Sequence, residues 1–244
     1  MTSLTSYNKK LRDLDKQKTE FVGLASHQLR TPNSAIYGYT SMLLDGDFGE
    51  MNEDMRATVK KINKASSNLN IIINELLETG RIEEKSAKYE MKRFDIVDVL
   101  ESLSTSLSVV ADRKGLEFKE DFDRKRSIYI YGDQQKITQA ISNLIDNAIK
   151  YTDGGYVKLS AHRGSNDVLI SIKDSGIGIS PKELDTIFEK FTRASNVQDL
   201  DVVGSGLGLF ITKEIVIANK GKVWAESDGD KKGSTFKIEF PTVE

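Results

Sequence analysis

The sequence predicts a multi-domain chain: an all-α helical hairpin followed by an α+β domain. Three observations carry that reading. Apolar residues recur at spacings of three and four along two long stretches before residue 77. The pattern then dissolves in the charged run Arg81-Ile82-Glu83-Glu84-Lys85-Ser86-Ala87-Lys88. Beyond it, strand-like alternation interleaves with helical periods, as in an α+β layer structure. At 244 residues the chain has room for one large domain or two ordinary ones, and the change of period favours two, at residues 1–88 and 89–244.

The first helix is read from about residue 4 to residue 45. Leu4, Tyr7, Leu11 and Leu14 open an a/d register that Phe21 and Ala25 continue, with Lys18 as a polar break. Val22, Leu29, Ile36 and Leu43, seven apart, carry the stripe onward and are expected to be its buried face. Asp45-Gly46-Asp47-Phe48-Gly49 ends it with turn chemistry. Asn52 is the expected N-cap of a second helix, with Glu53 and Asp54 in its first turn to suit the helix dipole. Its seam is Met55, Val59, Ile62, Ser66, Leu69, Ile73 and Leu76. Two long helices joined by a short loop form an antiparallel hairpin, and seams this long predict that two copies pair into a dimeric four-helix bundle.

From Gly80 to about Arg93 the chain reads as a linker. Then come a helix at about 96–114, strands at 116–119 and 127–131, and a helix at about 134–151. Strands at 156–162 and 168–173 follow, then a short helix from Pro181, a helix at about 207–219, and strands at 222–226 and 235–240. Antiparallel strands with the helices on one face of the sheet are expected, an α/β sandwich.

Charged residues make up 30% of the chain and the net charge is −2, so bulk charge gives no case for nucleic acid or an anionic membrane. Cysteine is absent, which removes disulfides and thiolate chemistry. No apolar run approaches the roughly 20 residues that span a bilayer, and the first ten residues lack the apolar core of a signal peptide. The fragment is therefore expected to be cytoplasmic, with any membrane attachment supplied by sequence before residue 1.

Candidate chemistry begins with His27, one of only two histidines. It lies off the apolar register and should face solvent. Pro32 follows five residues later inside the helical pattern, where it removes a backbone donor and bends the helix. His162 lies in a strand-like run and reads as structural.

In the second domain, Asn143 and Asn147 stand one above the other on a helix whose apolar face is already supplied by Ile141, Leu144, Ile145 and Ala148. An amide oxygen is a hard ligand suited to Mg²⁺, although a solvated polar face reads equally well from the pattern. Asp174-Ser175-Gly176-Ile177-Gly178 follows a strand. Its glycines admit a close flat ligand, and Asp174 can accept from an exocyclic amine; a plain Asp-Ser-Gly turn is the simpler account of this stretch alone. Phe188 and Phe191 read as packing residues, leaving Arg193 to meet a phosphate. Gly204-Ser205-Gly206-Leu207-Gly208 opens a helix, whose terminal amides suit phosphate. No strand leads into it and no Gly-Lys-Ser/Thr ends it, so it is neither a dinucleotide fingerprint nor a P-loop. Ala194 to Val203 is short and polar, in the manner of a lid.

Taken together, these motifs resemble the catalytic core of a bacterial sensor histidine kinase, a dimerisation and phosphotransfer hairpin joined to an ATP-binding domain of the Bergerat type. Ser26 to Pro32 is similar to its phosphoacceptor box, Asn143 to Ala148 to its N box, Asp174 to Gly178 and Gly204 to Gly208 to its two glycine boxes, and Phe188 to Phe191 to its F box. The resemblance implies ATP and Mg²⁺ as cofactors, His27 as phosphoacceptor, Asn147 as the metal ligand with Asn143 nearby, and Asp174 as the adenine reader. It implies that Lys150, Tyr151 and Arg193 line the nucleotide, with Gly176, Gly178, Gly204, Gly206, Leu207 and Gly208 cradling it. Thr235, in Gly233-Ser234-Thr235-Phe236, is similar to a threonine that supports the adenine end.

The implied partners are a second copy of the chain and a response-regulator receiver domain, whose aspartate takes the phosphoryl group. Thr31 resembles the residue that positions water for dephosphorylating that partner. Three positions depart from the pattern. Gln28 stands where an acidic residue usually follows the histidine, and glutamine orients an imidazole but is a poor base. Asn33 replaces an apolar residue after the proline and is expected to loosen packing there. Gln139 occupies a site that is often acidic. Gln28 and Asn33 keep open a non-catalytic kinase-like scaffold or a phosphatase-only regulator, and Gln139 leaves open which group would activate water.

Overall fold

The computed structural model describes residues 2–84, 86–197 and 204–244, with residues 2–22 and Val197 described by their backbone alone. The chain divides into two compact units whose boundary in sequence falls between Ala87 and Lys88.

The first unit is a helical hairpin of α1 (Thr2–Asp45) and α2 (Glu53–Glu83). The expected register from Leu4 to Val22 lies outside the described side chains. Helix α1 runs on through Pro32, which lacks the amide that would meet the Gln28 carbonyl. Asn52 caps α2 as expected, its side chain accepting from the Met55 amide at 2.8 Å. Helix α2 extends through Gly80 to Glu83, into the stretch read as linker.

Which residues face inward in the hairpin differs from expectation. Leu29 and Ile36 are 49% and 47% exposed, and Met55, Ile62 and Leu69 are open as well. Burial on α1 falls instead on Ser26, Asn33 and Thr40, also seven apart, whereas on α2 it falls on Ser66 and Ile73 of the expected seam and on Thr79 and Gly80. The seam between these two helices is therefore largely polar and held by hydrogen bonds. Asn33 Nδ2 donates to the Ser66 carbonyl and to Asn70 Oδ1, both at 2.8 Å. Ser66 Oγ donates back to Asn33 Oδ1 at 2.8 Å. Lower down, Asn63 Nδ2 donates to Thr40 Oγ1 at 2.9 Å and Ser41 Oγ at 3.0 Å. Asn33 thus ties the helices together where loosened packing was expected, because a carboxamide both donates and accepts.

The second unit contains β1 (Lys92–Asp95), α3 (Ile96–Arg113), β2 (Leu116–Asp121), β3 (Tyr129–Gly132) and α4 (Gln134–Lys150). After these come β4 (Gly155–Arg163), β5 (Asp167–Asp174), α5 (Gly208–Ala218), β6 (Lys222–Glu226) and β7 (Thr235–Pro241). Five strands form one sheet in the order β2-β4-β5-β7-β6, and β1 pairs with β3 in a small antiparallel sheet. The large sheet is mixed rather than antiparallel throughout, since β2 runs parallel to β4. Strand β1 begins at the end of the segment read as linker. Its Asp95 carboxylate accepts from the amides of Val97 and Ile128, both at 3.0 Å, so one residue caps α3 and fastens the approach to β3.

Alternation aims Val157 and Leu159, then Val168, Ile170 and Ile172, then Phe236, Ile238 and Phe240 into one buried layer. Helix α4 meets it with Ile137, Ile141, Leu144 and Ile145, each at most 1% exposed. Each such side chain contributes about 1.5–3 kcal/mol of burial. Helix α4 itself is positioned by Asp133, which caps it through Lys136 N at 3.0 Å, accepts from Glu90 N at 2.8 Å and donates its own amide to Asn219 at 2.7 Å. The short helix expected from Pro181 is a series of turns, with Glu183 N bonded to the Ser180 carbonyl and Thr186 N to the Glu183 carbonyl. No helix among the described residues is long and apolar enough to cross a membrane.

Candidate functional site

The second unit brings two of the singled-out segments onto α4, which carries the third. At the C-terminal end of α4, the Ile177 amide donates to the Tyr151 carbonyl at 3.1 Å. Gly176 is obligatory there: a Cβ on it would lie 2.3 Å from the Tyr151 carbonyl oxygen and 2.9 Å from Asp174 Oδ1. Near the middle of α4, Asn143 Nδ2 donates to Thr212 Oγ1 at 2.9 Å, joining α4 to α5. A Cβ on Gly208 would meet Asn143 Oδ1 at 2.8 Å, so the second glycine string is packed onto this asparagine. The two ends, Asn143 and Tyr151, are about 12 Å apart along the helix axis.

Asp174 is 3% exposed and lies at the end of β5. Its Oδ1 accepts from Gly176 N at 2.8 Å and Ser234 N at 3.2 Å, and its Oδ2 accepts from Ser234 Oγ at 2.5 Å. Burial pushes its carboxyl above the usual carboxylate range, against the lowering effect of these bonds. Three protein donors leave the carboxylate capacity to accept one further hydrogen bond. Thr235 is not the hydroxyl at this site. It pairs with Lys173 on the opposite face of the sheet, and Ser234 is the residue that turns inward. The inward alternation of Phe236, Ile238 and Phe240 in the sequence contains that information, since it places residue 234 inside and 235 outside.

Asn147 is half-buried, one turn after Asn143, and its carboxamide has no protein partner among the described residues. It is therefore available as a hard oxygen ligand. Among the described residues no group of three His, Cys, Asp or Glu could hold a metal, so an ion here would need phosphate and water to complete its shell. Tyr151 is half-buried, and burial raises its phenol, opposed by the charge of Arg193. The Lys150 ammonium lies 5.2 Å from the Tyr151 ring centre. Gly206 takes φ +73°, and its carbonyl accepts from Phe191 N at 2.9 Å. Leu207 stands at the N-cap position of α5, where its apolar side chain makes no capping hydrogen bond. Gly204 is exposed and Leu207 buried at 1%. Of the stretch Ala194 to Val203, residues 198–203 lie outside the described residues. Phe188 is buried, with its ring edge-on to Phe236 at 6.3 Å, whereas Phe191 is 65% exposed.

On the first unit, His27, Gln28 and Thr31 are all exposed on α1. Arg30, between them, donates to Asn74 Oδ1 of α2 at 2.7 Å and fixes this turn of α1 against the hairpin. His27 is thus held on a braced helix with its imidazole open to solvent, which suits a nucleophile that another molecule or domain must reach.

Residues 17–85 match the His Kinase A (phospho-acceptor) domain. Residues 132–244 match the histidine kinase-, DNA gyrase B- and HSP90-like ATPase domain. The sensor protein SrrB of Staphylococcus aureus is 32% identical over 233 residues, which are 95% of this chain and 39% of that protein. The chain thus spans about two fifths of the length of such relatives. Among solved structures, Acinetobacter baumannii histidine kinase AdeS is 26% identical with a TM-score of 0.61, covering 89% of this chain and 98% of that one. Full-length ShkA in complex with AMPPNP is 25% identical with a TM-score of 0.75, covering 92% of this chain and 46% of that one.

Proposed function

We propose, for a chain that belongs to the sensor histidine kinase family, that it binds Mg²⁺-ATP in its second unit and phosphorylates His27. From there the phosphoryl group passes to an aspartate of a response-regulator receiver domain. The observation that carries the proposal is the pairing, within one polypeptide, of an exposed imidazole on a braced helix with a buried carboxylate beside glycines packed to the backbone. Asp174 reads the exocyclic amine of adenine, with Ser234 orienting it. The start of α5 supplies amides for the phosphates. Asn147 is the residue that would hold Mg²⁺, which when bound offsets charge on the phosphates.

In the transfer step an imidazole nitrogen of His27 attacks the γ-phosphorus. The new N–P bond forms as the bond to the ADP oxygen breaks, with Arg193 offsetting charge on the transferring group. Gln28 holds the ring by accepting a hydrogen bond, and the imidazole proton leaves to solvent because a carboxamide does not take it. The hairpin's apolar stripe, left open at Leu29, Ile36, Met55, Ile62 and Leu69, supports pairing of two copies into a four-helix bundle. Thr31, exposed one turn after His27, supports dephosphorylation of the receiver as a second activity.

The test is incubation with γ-labelled ATP and Mg²⁺. Acid-labile label on the wild-type chain, lost in His27→Ala while nucleotide binding persists, is the expected result. Label that survives the substitution would point to another acceptor. Gln28→Glu should label faster by about 10²-fold if proton removal limits transfer.

A further inference from the structure

Asn196 belongs to none of the motifs above, yet its side chain reaches the first glycine loop. Its Nδ2 donates to the Gly178 carbonyl at 3.1 Å and to Asp230 Oδ1 at 3.1 Å, and lies 3.4 Å from the Ile177 carbonyl. The three acceptors fix the orientation of the carboxamide, because the flipped amide would set oxygen against oxygen. The turn that carries Asn196 is itself anchored, since Ser195 N donates to Glu183 Oε1 at 2.9 Å.

The other side of the same loop is gripped by the β6–β7 connection. Lys231 N donates to the Ile177 carbonyl at 2.6 Å and Gly233 N to the Gly176 carbonyl at 3.1 Å, while Ile179 N donates to Ser227 Oγ at 3.0 Å. Gly178 takes φ +71°, and a Cβ there would lie 2.1 Å from the Gly229 carbonyl oxygen. Each peptide unit is planar, so holding the carbonyl of Ile177 sets the direction of the Gly178 amide. That amide has no protein acceptor among the described residues, although Gly178 is buried. Asn196, held by Asp230, therefore joins the β6–β7 connection in setting where the loop beside Asp174 presents its backbone.

We propose that Asn196 is a positioning residue for the adenine end of the nucleotide site, acting through Gly178 and Asp230 on the loop that follows Asp174. The inference rests on the nucleotide-site reading above. It predicts an effect on ATP affinity without an effect on the transfer step, because Asn196 orients the loop and does not act at the reacting phosphorus.

The experiment compares the wild-type chain with Asn196→Ala, Asn196→Asp and Asp230→Asn, and with the double variant carrying both Asn196→Asp and Asp230→Asn. It reads KM for ATP, kcat of His27 labelling and the thermal midpoint. Asn196→Ala should raise KM about fivefold to tenfold, the loss of one or two hydrogen bonds. Asn196→Asp should raise it further, since a carboxylate would then face two carbonyls and Asp230. The double variant should recover part of the loss by returning an amide donor to the pair. In all of them kcat should stay within about twofold of wild type. Should Asn196→Asp fail to fold, Asn196→Ala and Asp230→Asn decide the matter. A wild-type chain that binds ATP while these variants keep its KM, or lose kcat alone, overturns the inference and leaves the nucleotide site standing. A wild-type chain that binds no ATP overturns both.

Discussion

Asn33 of α1 and Ser66 of α2 hydrogen-bond each other reciprocally, the Asn33 amide giving to the Ser66 carbonyl and the Ser66 hydroxyl to Asn33 Oδ1, each at 2.8 Å. The pair is buried, at 3% and 5% exposure, and Asn33 stands six residues past His27 on α1. Polar groups so enclosed lose little when paired and much when orphaned. Asn33→Ala should therefore cost about 1–3 kcal/mol of stability. Asn33→Leu should cost at least as much, because it strands Asn70 and Ser66 against an apolar side chain. Urea unfolding at fixed chain concentration, followed by helical circular dichroism, measures this. A gain in stability with leucine would contradict the role given to Asn33.

The open stripe on the hairpin makes a second prediction. Ile36→Glu combined with Leu69→Glu places carboxylates where two copies would bury apolar surface, a loss of several kcal/mol per uncompensated charge. Light scattering should show the wild-type chain at the dimer mass and the double variant at the monomer mass. A wild-type monomer would remove the four-helix bundle.

Asp174 carries a pH prediction whose sign follows from its raised carboxyl. The folded chain keeps this proton to higher pH than the unfolded chain. Between the two values stability falls as pH rises, so acidification does not destabilise the fold through this group. What acidification removes is the charged acceptor for adenine. ATP affinity should thus weaken on lowering the pH before an ordinary exposed aspartate would titrate. Asp174→Asn should weaken binding about 10- to 100-fold and abolish that component of the pH dependence. Titration with adenosine alongside ATP separates the effect from protonation of the phosphates.

Much of this molecule is legible in its sequence. Periodicity locates both hairpin helices, and Asn52 marks the start of the second because an N-cap is a local device. The strands from Gly155 to Asp174 and the helix bearing Asn143 follow equally from their patterns. What local pattern does not hold is pairing. Ser26, Asn33 and Thr40 share a heptad position with no apolar member, and only the facing helix shows that they form the seam. Strand β1 hides in a charged run because its partner, β3, is distant in sequence. At the site, the aspartate and the glycines are readable as motifs, whereas Ser234 needs the inward alternation of β7 and Asn196 needs the fold itself.

The most direct test is to locate the phosphoryl group. The chain is incubated with Mg²⁺-ATP, digested at neutral pH and sequenced by tandem mass spectrometry across Ser26-His27-Gln28-Leu29-Arg30-Thr31. The account predicts one added phosphoryl group on the His27 imidazole, and less of it at limiting ATP when Asp174→Asn has weakened nucleotide binding. A phosphoryl group on Ser26, Thr31 or Ser34, or none in a chain that binds ATP, would contradict it.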